Sequence, residues 1–345
     1  MKSLLRLLLK TQHQRNRSEP AQTDKGMTLV ELLVGAIMAF LIITPMLGFV
    51  VDMLNTDRRE QVKSNTEQDI QAAVDFIAQD LSQAIYIYDN KAINGAKGIR
   101  SMLPEPGNGN RIPILVFWKR QQIKNSVPIN PTVTAKPNTC KDNPGQCNDT
   151  YVLSLVAYYQ FKDNEPTWCQ PSGGNCPTRI ARFEIRDGVR NPSTLAYYLD
   201  TEATPAQTKD PAFNDKFELS KPTEKVTVVA ELGNTRSGAT NPEVLVNYID
   251  NSTVNVPDPP DCKTTLGVTD PPAPAPALTQ TDLLTADGST NSFYACVDTS
   301  KNIARVTIRG NSLRRLQADA LYNPKNPAYF PTATVQVQGL GGREK

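Results

Sequence analysis

The sequence predicts an α+β fold in which a long N-terminal helix packs on a mainly antiparallel β-sheet head with large loop insertions. Three observations lead there. An apolar run over residues 29–51 passes into an amphipathic pattern that holds to residue 85. Beyond it come short runs rich in β-branched and aromatic residues, separated by Pro, Gly, Asn and Asp. The prolines and most of the cysteines concentrate between those runs.

Residues 1–26 carry Lys2, Arg6, Lys10, Arg15, Arg17 and Lys25 against Glu19 and Asp24. The positive-inside rule places such a segment on the cytoplasmic side, and with it an exported remainder. No small-residue cleavage site follows Val51, so an ordinary secretory signal is not indicated. Residues 27–51 form the membrane-length helix. At 1.5 Å per residue its apolar run covers roughly 34 Å, enough for a bilayer. Glu31 is the one charge in that run. A charge at bilayer depth costs at least ~2.5 kcal/mol unless it is compensated, which makes Glu31 a functional residue by expectation. Pro45 and Gly48 interrupt the run, and the hydrogen bond that Pro45 removes predicts a kink or local melting over residues 41–45.

Residues 52–88 continue the helix. Val62, Ile70, Ala73, Val74, Ile77, Ala78, Leu81, Ala84 and Ile85 fall at helical spacing, with Lys63, Glu67, Gln71, Asp75 and Gln79 on the other face. The two halves form a single rod of about 88 Å if fully helical.

Residues 89–345 form the head. Strand-like runs are expected at 112–118, 151–161, 179–186, 194–199, 225–231, 244–249, 292–297, 302–309 and 333–339. Ala181, Phe183 and Ile185 alternate with Arg182, Glu184 and Arg186, and Ala304, Val306 and Ile308 alternate with Arg305, Thr307 and Arg309. This alternation predicts a sheet with one wet face, the helix covering the other. Residues 256–281 hold Pro257, Pro259, Pro260, Pro271, Pro272, Pro274 and Pro276 and read as an extended surface loop, with one sheet drawing strands from both sides of it.

The six cysteines are Cys140, Cys147, Cys169, Cys176, Cys262 and Cys296. In an exported segment an even number reads as disulfides. The turn-forming stretches after Cys140 and Cys169 favour Cys140–Cys147 and Cys169–Cys176, leaving Cys262 with Cys296. Zinc is the rival reading, but zinc sites set paired cysteines about two to four residues apart and these intervals are longer.

Charge and composition narrow the function. The net charge of the chain is +2, and no general nucleic-acid surface is indicated. The one histidine, His13, lies within residues 1–26, on the cytoplasmic side of the apolar run, so the exported part lacks Ser-His-Asp and Cys-His catalysis. No enzyme and no cofactor are expected. Asp250, Asp258 and Asp261 are the one weak candidate set for calcium, at a spacing unlike a known calcium loop. Arg179, Arg182, Arg186, Arg305 and Arg309 read either as a plain solvated sheet face or as a surface for an acidic polymer.

The stretch Lys25-Gly26-Met27-Thr28-Leu29-Val30-Glu31-Leu32-Leu33-Val34-Gly35 resembles the processing site of type IV prepilins and type II secretion pseudopilins. The resemblance implies a pilin-like fold, cleavage between Gly26 and Met27 by the prepilin peptidase, and N-methylation of Met27. Glu31 would then be the fifth-residue carboxylate that pairs with a subunit N-terminus in a filament. The free ammonium of Met27 would lie one helical turn from Glu31. The run Asn55-Thr56-Asp57-Arg58-Arg59-Glu60, with Asp69 to Leu81 and Ile85-Tyr86-Ile87-Tyr88-Asp89, is similar to the hormogonium polysaccharide secretion pseudopilins of filamentous cyanobacteria, in particular their large C-type members. This implies a minor pseudopilin supporting polysaccharide secretion and gliding motility. It would be a single-pass inner-membrane protein with a periplasmic or extracellular head, and its partners would be other pilins or pseudopilins, the inner-membrane assembly platform and polysaccharide. Two alternatives stay open: a minor type IV pilin for adhesion or DNA uptake, and a membrane-anchored periplasmic binding protein.

Overall fold

The computed structural model describes residues 28–96, 98–103, 109–129, 136–140, 144–199, 201–203, 207–213 and 242–343. The leader, the Gly26–Met27 junction and the expected strand at 225–231 lie outside the described residues. The chain divides into two compact units, Met1–Arg58 and Arg59–Lys345.

Helix α1, Leu29–Ser82, runs through both units. It stays helical across Pro45 and Gly48, so the expected melting is absent. Pro45 leaves only the Leu41 carbonyl without its helical donor, and one residue away the Thr44 hydroxyl donates to the Phe40 carbonyl at 2.8 Å, a local side-chain bond of the kind found in apolar helices near proline. The helix ends six residues before the expected boundary at residue 88. From Ala84 the run Ala-Ile-Tyr-Ile is β-branched and aromatic, and it pairs with the sheet as strand β1, Ala84–Ile87.

The second unit carries, among its described residues, two antiparallel sheets. The first has the order β1-β2-β3-β4-β5, with β2 Arg111–Pro128, β3 Cys147–Phe161, β4 Thr178–Arg186 and β5 Glu243–Ile249. The second has the order β6-β7-β8-β9, with β6 Leu284–Ala286, β7 Phe293–Asp298, β8 Ile303–Arg309 and β9 Thr332–Gln338. Short helices α2 Asn90–Asn94, α3 Pro137–Cys140, α4 Cys262–Leu266 and α5 Gln280–Leu283 fill the connections. The two sheets lie on either side of the proline-rich stretch in sequence, so neither draws strands from both sides of it. An isolated bridge, Ile249 with Gly310, joins β5 to the end of β8. The proline-rich stretch is not extended throughout. Asp261 caps α4 by accepting from the Thr264 amide, and Gly267, at φ 60°, ends that helix in the left-handed region.

Residues 194–199 form no strand beyond a bridge between Arg190 and Tyr197. Asn191 Oδ1 accepts from the amides of Ser193 and Thr194, and this side-chain turn takes the backbone out of a ladder.

Two cores explain the layering. In the first, Ile70, Val74, Ile77 and Leu81 of α1 meet Phe117, Tyr158 and Ile180 of one sheet and Phe293, Val306 and Ile308 of the other. Each such fully buried side chain contributes about 1.5–3 kcal/mol of transfer free energy. Gly310 lets α1 approach β8, since a Cβ there would run into Ile70 Cδ1 and Thr66 Cγ2. In the second core, Trp118, Leu155, Tyr159, Phe161, Ala181, Phe183 and Ile185 pack with Tyr88, Ile93 and Phe213. The first sheet is therefore covered on both faces, not wet on one, and β4 is turned over from the expected arrangement. Its apolar trio faces the second core, while Arg182 and Glu184 lie on the side of α1.

The reason is Asp80 in the last turns of α1, itself buried. Its Oδ1 accepts from Lys119 Nζ at 3.0 Å, and its Oδ2 accepts from Arg182 Nε at 2.8 Å and from the Tyr158 hydroxyl at 2.7 Å. Glu184 closes the network, 2.8 Å from Arg182 Nη2 and 3.5 Å from Lys119 Nζ. Burial pushes the Asp80 carboxyl up, but Lys119 and Arg182 outweigh it and hold it below the usual carboxylate value; Glu184 is lowered against its burial by the same two cations. Burial, with Asp80 beside it, raises the Tyr158 phenol, so it stays a donor.

Asp80→Asn leaves Lys119 and Arg182 with Glu184 alone and is expected to lower stability by about 3–5 kcal/mol in denaturant titration. Because both carboxylates have lowered folded-state values, their contribution is complete above their unfolded values near about pH 4 and is lost as the pH falls through the folded ones. The melting-temperature gap between wild type and Asp80→Asn should therefore be constant near neutrality and narrow below about pH 4.

Candidate membrane and assembly segment

The first unit exposes its apolar side chains in every direction around the helix. Leu32, Phe40, Ile42, Met46 and Phe49 are each more than half exposed, and the stretch from Leu29 to Leu54 has no buried residue. An amphipathic surface helix keeps a polar face, whereas a helix apolar on all sides requires an apolar surround. Among the described residues α1 is the one helix long and apolar enough to cross a membrane, and its apolar stretch is wholly unburied. Below it in sequence the character changes at Asp52, Asp57, Arg58 and Arg59, where charged residues begin.

At its N-terminal end, Thr28 precedes the first helical residue. Its hydroxyl accepts from the Glu31 amide at 3.3 Å, and its carbonyl accepts from Glu31 and Leu32 amides at 3.0 and 3.1 Å. Thr28 and Glu31 thus stand at the N-cap and N3 spacing of a capping box, and the threonine half of that box is formed. The T-x-x-E spacing of Thr28 and Glu31 is the sequence signal of this second use of the residue. The Glu31 carboxylate is exposed and has no ion pair among the described residues. Acidic charge in a first turn is favoured by the helix dipole, so Glu31 is compatible with helix initiation as well as with an outside cation.

The other candidate residues lie elsewhere. Cys140–Cys147, Cys169–Cys176 and Cys262–Cys296 are bonded, the first closing the approach to β3, the second a loop before β4 and the third tying α4 to β7. The three aspartates considered for calcium do not converge. Asp250 is buried, its Oδ2 accepting from Arg309 Nε at 3.1 Å, and Asp261 caps α4. Among the described residues no group of three or more His, Cys, Asp or Glu side chains is disposed to hold a metal.

The arginines do not form a solvated face either. Arg179 is buried and pairs with Asp163, Arg182 joins Asp80, and Arg309 is buried on Asp250 and on the Thr290 and Asn291 carbonyls. Alternation shows that these residues share a side of a strand. It carries no information on Asp163 or Asp250, which lie outside those strands.

Compared with protein-family models, with curated proteins and with solved structures, the chain matches none.

An apolar helix exposed all round makes a direct prediction. The full chain should stay in the membrane pellet after alkaline carbonate extraction. Arginines at Phe40 and Ile43, each costing about 2.5–3.5 kcal/mol near a span centre, should shift it to the soluble fraction.

Proposed function

We propose that this chain is a minor pseudopilin: a subunit cleaved between Gly26 and Met27, held in the inner membrane by residues 27–51 and drawn into a short filament of a type IV pilus or type II secretion kind. The observation that carries the reading is Glu31, one carboxylate near the start of a bilayer-length apolar helix, five residues into the chain that begins at Met27. A plain anchor gains from Glu31 no more than the capping and dipole terms of a first turn, which an uncharged glutamine or a surface acid would supply as well. A filament subunit gains a pairing site, because the cleaved N-terminus supplies an ammonium whose own burial needs an anion. The head, with its insertions between strands, suits a tip or minor position better than a closely packed shaft. Similarity over residues 25–90 favours polysaccharide export and gliding over adhesion or DNA uptake.

The N-terminal peptide of the membrane-isolated protein should begin at N-methylated Met27; an intact Met1, or cleavage after Val51, overturns the reading. Glu31 variants separate charge from helix capping. Glutamine at N3 preserves a capping box, so Glu31→Gln retains the helix start and removes only the charge. If pairing is its role, Glu31→Gln and Glu31→Ala should both insert in the membrane and both fail to enter filaments, as read by shear fractionation. Filament entry by Glu31→Gln at the wild-type level would reduce Glu31 to a cap.

A further inference from the structure

A second feature of the head is independent of the helix start. A cleft of ≈ 590 Å³ opens among α1, the loop around Trp168 and the edge strand β5. Three aromatic side chains line it, one from each element: Phe76, Trp168 and Tyr248. A guanidinium lies near each ring, and the one near Tyr248 belongs to Arg315, which is itself part of the lining. Arg182 lies 5.7 Å from the Phe76 centroid, Arg179 lies 5.8 Å from that of Trp168, and Arg315 lies 4.4 Å from that of Tyr248. Arg182 and Arg179 do not line the cleft, so they hold their rings from outside it.

The walls are fixed beforehand. The Cys169–Cys176 disulfide closes the loop next to Trp168, and the buried Arg314 donates into the same loop, to the carbonyls of Asn175 at 3.0 Å and Pro171 at 3.1 Å. Asn247 Nδ2 donates to the Trp168 carbonyl at 2.9 Å, joining loop to strand. Between Val246 and Ile249 strand β5 bulges, with Asn247 and Tyr248 opposite Arg179 alone. Tyr248 takes φ 59° there. For a bulky residue this conformation costs on the order of 1–3 kcal/mol and persists where the surroundings impose it, commonly at binding sites. Bulges at sheet edges re-aim side chains, and this one turns the tyrosine to the cleft.

Charge decides the ligand class. Arg315 is paired with Asp69 inside the cleft, and Arg182 and Arg179 are paired with Asp80 and Asp163 behind it. Phosphates and acidic polymers therefore meet no unpaired cation. Thr167, Gln170 and Asn247 supply the uncharged polar part of the lining. Rings with negative faces, beside these uncharged groups and the mutually paired Asp69 and Arg315, match a molecule with polarised C–H groups on its faces and hydroxyls on its rim.

We infer that this cleft is a binding site for a neutral polyhydroxylated pyranose chain, stacked on Trp168, Phe76 and Tyr248. The site goes beyond the proposed assembly role and is tested without it.

The test is calorimetric titration of the full chain in lipid nanodiscs with maltohexaose, cellohexaose and, as the acidic counterpart, a hyaluronan hexasaccharide. At least one neutral hexasaccharide should bind with Kd at or below about 1 mM, and more tightly than the hyaluronan. Trp168→Ala should weaken it about tenfold, with emission from the buried Trp118 reporting an intact head. Tyr248→Gly removes ring and strain together, so it should weaken binding without lowering the melting temperature. Absence of heat with both neutral sugars, preference for the hyaluronan, unchanged affinity in Trp168→Ala, or blockage of the cleft by a second copy of the chain would each overturn the inference. None of these readouts depends on cleavage at Gly26 or on the charge of Glu31.

Discussion

The head is organised around one buried carboxylate. Asp80 accepts from three side chains, on β2, β3 and β4, and so touches three neighbouring strands from the end of α1. Hydrophobic burial alone leaves the choice of face on β4 undecided, because both sides of the first sheet are covered by apolar clusters. Turning β4 over would bring Ala181, Phe183 and Ile185 to the helix, an acceptable apolar contact. It would also carry Arg182 and Glu184 into the second core without Asp80, stranding charges where their desolvation is costly. A buried ion network of this kind adds little net stability over a well-packed apolar substitute. Its effect here is selection: it admits one register of helix on sheet.

That selection reaches the second sheet. With α1 set by Asp80, Ile70 and Thr66 come against Gly310 at the end of β8, and the first core closes over both sheets. Polar contacts then join the sheets away from the helix. Gln160 Nε2 on β3 donates to Thr290 and Ser292 at 3.1 and 3.0 Å, and Lys162 pairs with Asp287. Burial pushes the Asp287 carboxyl up, yet Lys162 and Thr290 bring it down to about 2. Both sheets and the end of α1 thus share one core, although the chain between β5 and β6 reads in sequence as a long surface excursion.

What was legible beforehand follows from the range of the forces involved. The apolar run, the helical periodicity through Leu81 and most strands are local patterns, and the structure has them within a few residues. The three disulfides were legible because two of the pairs close short turn-forming stretches, which leaves the third by elimination. The orientation of β4 was not, since it turns on a residue 102 positions away. The solvated arginine face failed for the same reason: Arg309 meets Asp250 across 59 positions, and alternation says nothing about a partner so distant. The aromatic cleft was equally hidden. Phe76 reads as one more apolar residue beside a helical stripe, and Trp168 and Tyr248 stand in unrelated stretches until a bulge and a disulfide loop bring them together.

The position of Asp80 along α1 has a mechanical consequence. It sits two residues before the helix ends, so a pull on α1 reaches this turn only after the packed side chains of Ile70, Val74 and Ile77 have taken their share. There it meets three parallel routes of transfer, one through each of Lys119, Tyr158 and Arg182, and not only the single peptide link into β1. From there the load passes to β2, β3 and β4, which are joined to one another by backbone ladders. Detaching α1 from the head therefore means breaking an apolar core and a charged network together.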